Sequence, residues 1–161
     1  MKNIRSATAN DIHRISTIEN ACFPEAEAAS LDAFTKRFAA FPECFFVLEI
    51  EGKIVGHVNG CIYDHPELPD ALYADATLHC PNGKYQTVFG LAVSPEYQRK
   101  GYASLLIQHL IKVSQKREQL GVVLTCKDYL IDFYKRNGFE HLGKSASSHG
   151  GVSWNDMLLS F

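Results

Sequence analysis

The chain has 161 residues, of which 46% are apolar, 21% charged and 11% aromatic, enough for one sizeable core and too few for two ordinary domains. Its formal charge is −2, and no Lys- or Arg-rich run exists to neutralise a row of phosphates, which excludes nucleic acid as an electrostatic partner. The apolar runs are only a few residues long, against the roughly 20 that a membrane helix needs, and no apolar signal core follows Met1-Lys2-Asn3-Ile4-Arg5, so a cytoplasmic protein with no membrane partner is expected.

From the amino terminus, a short apolar segment begins at Ile4, and Thr8 offers an N-cap with Asp11 three residues later in a box-like spacing. Ile12, Ile15, Ile18 and Cys22 recur at roughly helical intervals, which predicts a helix over 9–22 ended by Pro24. Ser30 caps a second helix, in which Phe34, Phe38 and Phe41 share one face and read as core, or else line a pocket with Phe23 between the first two helices. Residues 44–50 and 53–63 are β-rich and flank the turn Glu51-Gly52, a hairpin signal. Residues 64–84, with Pro66, Pro69 and Pro81, read as a long surface loop. Residues 87–93 read as one strand, 102–119 as an amphipathic helix and 122–126 as another strand. A short helix over 129–136 is closed by Asn137-Gly138, a pair suited to a left-handed C-cap, and strands follow from Phe139 and over 152–159. The passage 87–126 has parallel-crossover character, so the fold expected is an α/β sandwich around one mixed sheet.

Five cysteines (Cys22, Cys44, Cys61, Cys80 and Cys126) form no Cys-x-x-Cys pair, and the seven histidines show no ligand spacing. No metal is expected, and the thiols read as small buried hydrophobes.

The chemistry concentrates in Leu91-Ala92-Val93-Ser94-Pro95-Glu96-Tyr97-Gln98-Arg99-Lys100-Gly101-Tyr102-Ala103-Ser104. There a strand ends, the chain turns and a helix begins. The first helical turn leaves N–H groups unpaired at the positive end of the macrodipole. Gly101 lacks a Cβ, Ala103 and Ser104 are small, and Arg99 and Lys100 add full charges, which together suit a pyrophosphate cradle made mostly of main chain. The Walker pattern and the Gly-x-Gly-x-x-Gly dinucleotide turn are both absent.

This stretch resembles the coenzyme A signature of the GNAT acetyltransferase superfamily. Over most of its length the chain is similar to the arylalkylamine (serotonin-type) N-acetyltransferases. The likeness is carried by Thr77-Leu78-His79 with Pro81 and Gly83, Leu91-Ala92-Val93, the segment Gln98 to Ala103, Phe133-Tyr134-Lys135-Arg136 with Gly138-Phe139, and the ending Gly143 to Gly151. It implies a GNAT-type three-layer sandwich, with a single mixed, mostly antiparallel sheet, splayed central strands and about four helices, in one N-acetyltransferase domain over 1–161.

The resemblance also assigns roles. The main chain of Leu91, Ala92 and Val93 would pair with the pantetheine arm of acetyl-CoA like an added strand, and an N–H near Leu91 would polarise the acetyl carbonyl. Gln98, Arg99, Lys100, Gly101, Tyr102, Ala103 and Ser104 would form the pyrophosphate cradle, and Tyr134 matches the tyrosine placed near the coenzyme sulfur as general acid. Where the vertebrate arylalkylamine enzymes carry two histidines, this chain has Thr87 and Phe89, neither of which can remove a proton. His79 is a candidate relay, or else a loop histidine satisfied locally. Glu25 and Glu27 either draw a cationic amine to the entrance or are simply solvated. Phe23 and Pro24 are candidates for lining an acceptor pocket, and the polar loop 145–151 is placed to close over it. Cys126, the thiol nearest the expected notch, has no neighbouring histidine in sequence to make it a nucleophile.

The expected activity is acetyl transfer from acetyl-CoA to a primary amine, a small arylalkylamine or a related one, by direct attack in a ternary complex. It would use no metal and no nucleic acid, in a monomer or homodimer. Two alternatives stand beside it: acetylation of a protein or peptide amine, and a non-catalytic acyl-CoA-binding module that kept the cradle and lost the base.

Overall fold

The computed structural model describes residues 1–161. In chain order it holds β1 (Lys2–Ser6), α1 (Ile12–Cys22), α2 (Leu31–Ala40), β2 (Phe45–Ile50), β3 (Lys53–Asn59), β4 (Ile62–Tyr63), α3 (Ala71–Ala74), β5 (Tyr85–Val88), β6 (Gly90–Val93), α4 (Tyr102–Lys116), β7 (Gly121–Cys126), α5 (Ile131–Arg136), β8 (Glu140–Lys144) and β9 (Asn155–Ser160).

Alternation along β2 decides the layering, because successive side chains point to opposite faces of a sheet. Phe45 and Val47 turn toward Ile12 and Ile15 of α1 and Phe34 of α2, in one core cluster. Phe46 and Leu48 turn the other way, onto Leu106, Ile107, Leu110 and Ile111 of α4. Those four residues make the i, i+1, i+4, i+5 stripe of a helix buried along one side. Two helical layers therefore sandwich a sheet whose central strands, β2 and β7 among them, are buried on both faces while β1 and β8 are largely exposed.

The sheet itself changes partners halfway. Its first part runs β1-β2-β3-β6 and its second β4-β5-β7-β9-β8, with β5 and β7 parallel and every other pair antiparallel. The run read from sequence as one strand over 87–93 is two, broken at Phe89. The halves stay joined: Phe89 N–H donates to Asn59 O at 2.8 Å and Thr87 N–H to Cys61 O at 2.9 Å, so the ladder continues past the break. The join brings two backbones very close, since a Cβ on Gly60 would lie 2.1 Å from Thr87 O, and only glycine fits there.

Other local differences have local causes. Asp11 accepts from Thr8 N–H at 2.7 Å as the box spacing predicts, but residues 9–11 form a 3-10 turn ahead of α1. Inside the 64–84 loop, Ala71–Ala74 closes one helical turn and buries Leu72. α4 stops at Lys116, three residues before its predicted end, where Glu118 enters the left-handed region at φ 58° and Ser114 Oγ holds the Gln119 amide oxygen at 2.6 Å. β9 starts at Asn155 because Gly150 and Gly151, both at positive φ, curl the preceding segment into a turn.

Candidate active site

The break at Phe89 opens the site. β5 pairs with β7 from Tyr85 opposite Gly121 to Val88 opposite Leu124, and there the pairing ends. Past it, β6 follows β3 (Leu91 opposite Val58, Ala92 opposite His57), while β7 continues along β9 to Cys126. The side of β6 facing away from β3 has no strand partner, so the two central strands diverge into a notch with a free backbone edge. An extended chain can add itself to such an edge.

A cavity of about 90 Å³ lies in this notch, lined by Leu91, Phe89 and Gly90 on one arm and Thr125 and Cys126 on the other. Tyr134 enters from α5, Glu19 and Phe23 from α1 and its end, Tyr73 from α3, and His149 and Trp154 from the segment before β9. That volume holds only a few waters. Leu91 and Tyr134, which the resemblance assigns, and Phe23, a candidate from its place at the helix–loop junction, thus share one cavity, whereas Pro24 lies outside its lining.

Tyr134 is 6% exposed, wedged edge-on between Phe133 and Phe139. Burial pushes its phenol well above the usual range, with the nearby Cys126 thiol adding to the effect. Burial likewise pushes the Cys126 thiol up to about 11, which keeps it protonated and unreactive near neutral pH. The Tyr73 hydroxyl lies 3.4 Å from Thr125 Oγ1, and its ring stacks on His149 with centroids 5.1 Å apart.

Gly101 stands at the N-cap of α4 with φ 83°, the left-handed conformation that glycine adopts without strain, and a Cβ there would meet nothing within 4 Å. Arg99 is left-handed too, at φ 62°. Leu105 N–H is the first in this helix to find a backbone acceptor, Gly101 O at 3.2 Å; the N–H groups of residues 99–104 donate to no protein group. They leave a turn of unpaired amides at the positive end of a 15-residue helix, a geometry suited to an anion. The Gln98 side chain does not join them. It folds back, Nε2 donating to Val93 O at 2.8 Å, and clamps the turn to the end of β6. Ser104 Oγ accepts from Asn137 Nδ2 at 3.3 Å, tying the helix start to the end of α5.

Two residues chosen from sequence have other occupations. His79 is buried, its Nδ1 accepting from Ile62 N–H at 3.0 Å and its Nε2 lying 3.5 Å from Glu43, and it does not line the cavity. It stands apart from the cavity lining, with one ring nitrogen engaged by the Ile62 amide. Glu27 is buried against Lys127, with 2.6 Å between Oε1 and Nζ, so its charge is already neutralised and draws no amine. Glu27 packs instead against the segment before β9: its O lies 3.1 Å from His149 Nε2, and a Cβ on Gly150 would come within 2.7 Å of its Cγ. Of the two positions matched to the family histidines, Thr87 donates its hydroxyl to Cys61 O, away from the notch, and Phe89 faces into it.

Sequence reasoning passed over Glu19, His57 and Asn59, which meet beside Gly90. Glu19 Oε1 lies 3.3 Å from His57 Nε2, and Asn59 Nδ2 lies 3.4 Å from His57 Nδ1. All three are at least 95% buried. The only signal in the sequence was a glutamate on the apolar face of the first helix, in line with Ile12 and Ile15.

The sequence model of the acetyltransferase (GNAT) family matches residues 12–139. Serotonin N-acetyltransferase of Mesocricetus auratus is 26% identical over 160 residues, covering 97% of this chain and 76% of that protein. The uncharacterized N-acetyltransferase YkwB of Bacillus subtilis is 29% identical over 130 residues, 73% of this chain and 58% of that protein. Among solved structures, the loading GNATL domain of CurA from Lyngbya majuscula superposes with a TM-score of 0.85 at 17% identity, over 99% of this chain and 98% of that one. The GphF GNAT-like decarboxylase in complex with isobutyryl-CoA gives 0.83 at 21% identity, over 98% of both chains.

Proposed function

The chain belongs to the acetyltransferase (GNAT) family, and from that premise we propose that it transfers the acetyl group of acetyl-CoA to a small primary amine, arylalkyl in class, by direct attack in a ternary complex. The observation that carries this reading is a continuous path. The unpartnered amides of residues 99–104 lead along the free edge of β6 to the cavity that Leu91 and Tyr134 share.

In this reading, the amides from Arg99 to Ser104 hold the pyrophosphate, and Ala92 and Val93 align the pantetheine arm. A main-chain N–H at Leu91 steadies the charge developing on the acetyl oxygen, and Tyr134 donates a hydrogen bond to the departing sulfur. Cys126 forms no acetyl-enzyme, because its thiol is held protonated. The aromatic lining (Phe23, Phe89, Tyr73 and Trp154) suits an aryl group. The clasp of Glu27 with Lys127 and His149 over the cavity favours a small acceptor that the loops can enclose over an extended peptide, which needs an open groove. An arylalkylamine exceeds the present cavity, so residues 24–30 and 145–151 must part to admit it.

Release of free coenzyme thiol from acetyl-CoA, followed across tryptamine, phenethylamine, polyamines and short peptides, tests the reading. Turnover is expected with arylalkylamines above the rest. Desulfo-CoA at a hundredfold excess over its Kd should stabilise the fold by about 2.7 kcal/mol. Gly101→Val, which forces a branched side chain into the left-handed cap, should abolish that protection. Protection that survives the substitution would remove the cradle from the argument, and a flat response to every amine would remove the reaction.

A further inference from the structure

Glu19 sits in the last turn of α1 with its side chain 6% exposed, on the wall of the cavity that Leu91 and Tyr134 share. A carboxylate so placed demands partners, and this one is only half provided for. Oε2 accepts from Ala29 N–H at 3.3 Å. Oε1 accepts no hydrogen bond: His57 Nε2 is within ion-pair reach at 3.3 Å but poorly aligned for one. Opposite Oε1 is Gly90, where a Cβ would come within 3.2 Å of Oε1, 3.5 Å of His57 Cε1 and 3.7 Å of Asn59 Nδ2. The missing side chain at residue 90 keeps this oxygen on the cavity side. The fully buried His57 stands behind it, with Asn59 Nδ2 3.4 Å from its Nδ1 on the far side of the ring.

An alkyl ammonium with a pKa near 10.4 is about 99.9% charged at pH 7.4, and its nitrogen attacks only after losing a proton. Thr87 and Phe89 cannot take it, and His79 lies outside the cavity. On the reading of the site given above, we propose that Glu19 is the group that deprotonates the acceptor ammonium, and that His57 is a positioning residue that keeps the Glu19 carboxylate aimed past Gly90.

The ammonium gives one proton to a Glu19 oxygen, and the freed lone pair forms the C–N bond at the acetyl carbon. The C–S bond breaks with its pair going to sulfur, and the second proton, lost from the tetrahedral nitrogen, ends on the coenzyme thiol. Glu19 returns the first proton to solvent as the product leaves. Arg37, a buried cation, stands near enough to Glu19 for their charges to interact.

Glu19→Gln keeps the size and removes the base. For an alkylamine acceptor near pH 7, kcat/KM is expected to fall about 10²–10³-fold. The loss should shrink roughly tenfold for each pH unit toward the amine pKa, as solvent does the deprotonation instead. With an acceptor already neutral at the assay pH, an aniline or a hydrazide, the same variant should stay within about threefold of wild type. His57→Gln, which retains an amide donor facing Glu19, should show the same selectivity with a smaller loss. Protection by desulfo-CoA reports whether each variant folds, and where Glu19→Gln does not, the split is read from His57→Gln and Glu19→Asp. Equal losses on charged and neutral acceptors, or no loss on either, would overturn the proposal while leaving acetyl transfer intact. A wild-type protein that acetylates no amine would overturn both.

Discussion

Tyr134 is the residue whose surroundings say most about the chemistry. Its hydroxyl donates to no protein group, and burial holds the phenol neutral at any working pH. Even an ordinary phenol near 10 is uphill of a coenzyme thiol near 8.5 by about 2 kcal/mol as a proton donor, and burial widens that gap. In the proposed reaction Tyr134 would therefore serve by hydrogen-bonding to the sulfur as charge develops, and the sulfur's own proton would come from the attacking nitrogen. Tyr134→Phe should lower kcat about 10²–10⁴-fold while the KM for acetyl-CoA moves by less than about threefold, and steady-state kinetics with acetyl-CoA varied will separate the two. Cys126 beside it supplies the control: Cys126→Ala should keep most of the turnover. Tyr134 was legible because a short motif surrounds it. Glu19 and His57 were not, since they lie on α1 and β3 and only the packing of a helix on a sheet brings them within 3.3 Å. His79 and Glu27 misled for the same reason. Sequence shows a titratable group but not the Ile62 amide or the Lys127 ammonium that occupies it.

At the scale of the element, legibility follows the range of the interactions. The turn before α4 and the end of α5 are local and were readable. Phe139 N–H donates to Tyr134 O at 3.0 Å and Gly138 N–H to Lys135 O at 3.0 Å, the paired bonds of a Schellman cap, with Gly138 at φ 101°. The division of 87–93 into β5 and β6 was not readable, because both halves are equally β-rich and the break is set by which strand each half finds across the sheet. The α5 cap carries a consequence for function, since one of its bonds ends on the carbonyl of Tyr134. Gly138→Ala puts a side chain at positive φ, 3.1 Å from Leu159 Cδ1, and should cost about 1–2 kcal/mol in stability. It should also displace the phenol, so kcat falls while desulfo-CoA affinity holds. Denaturant melts and the two kinetic constants check this, and an unchanged kcat in a destabilised protein would show that α5 does not set the tyrosine's position.

At the scale of the molecule, two cores back to back on one sheet leave cysteines with no route to water, and this fixes how the fold responds to alkali. Burial raises the Cys44 thiol from its usual 9.0 to about 12 and the Cys61 thiol to about 11. Both lie in the cluster between the sheet and the α1/α2 layer. Above pH 9 the unfolded chain gives up these protons and the folded chain keeps them, so the unfolded state binds fewer protons and stability falls as pH rises. Each thiol contributes a slope of about 1.4 kcal/mol per pH unit between its unfolded and folded values. The Tyr73 phenol, raised to about 12, adds to the decline above pH 10. Asp11 acts at the other end of the scale, its carboxyl held down by the Arg5 guanidinium, so that its contribution is lost as pH drops below the usual carboxylate range. Thermal melts under reducing conditions should hold a plateau between pH 6 and 8.5 and drop steeply from about pH 9, with the drop steepest between 9 and 11. The pair Cys44→Ala and Cys61→Ala should flatten that alkaline slope even though each lowers the melting temperature at pH 7 through lost packing, because the slope counts protons and the intercept counts contacts. A wild-type melting temperature that stays level to pH 10.5 would mean that water reaches these thiols, and that the core between the sheet and the first two helices is looser than its side chains portray.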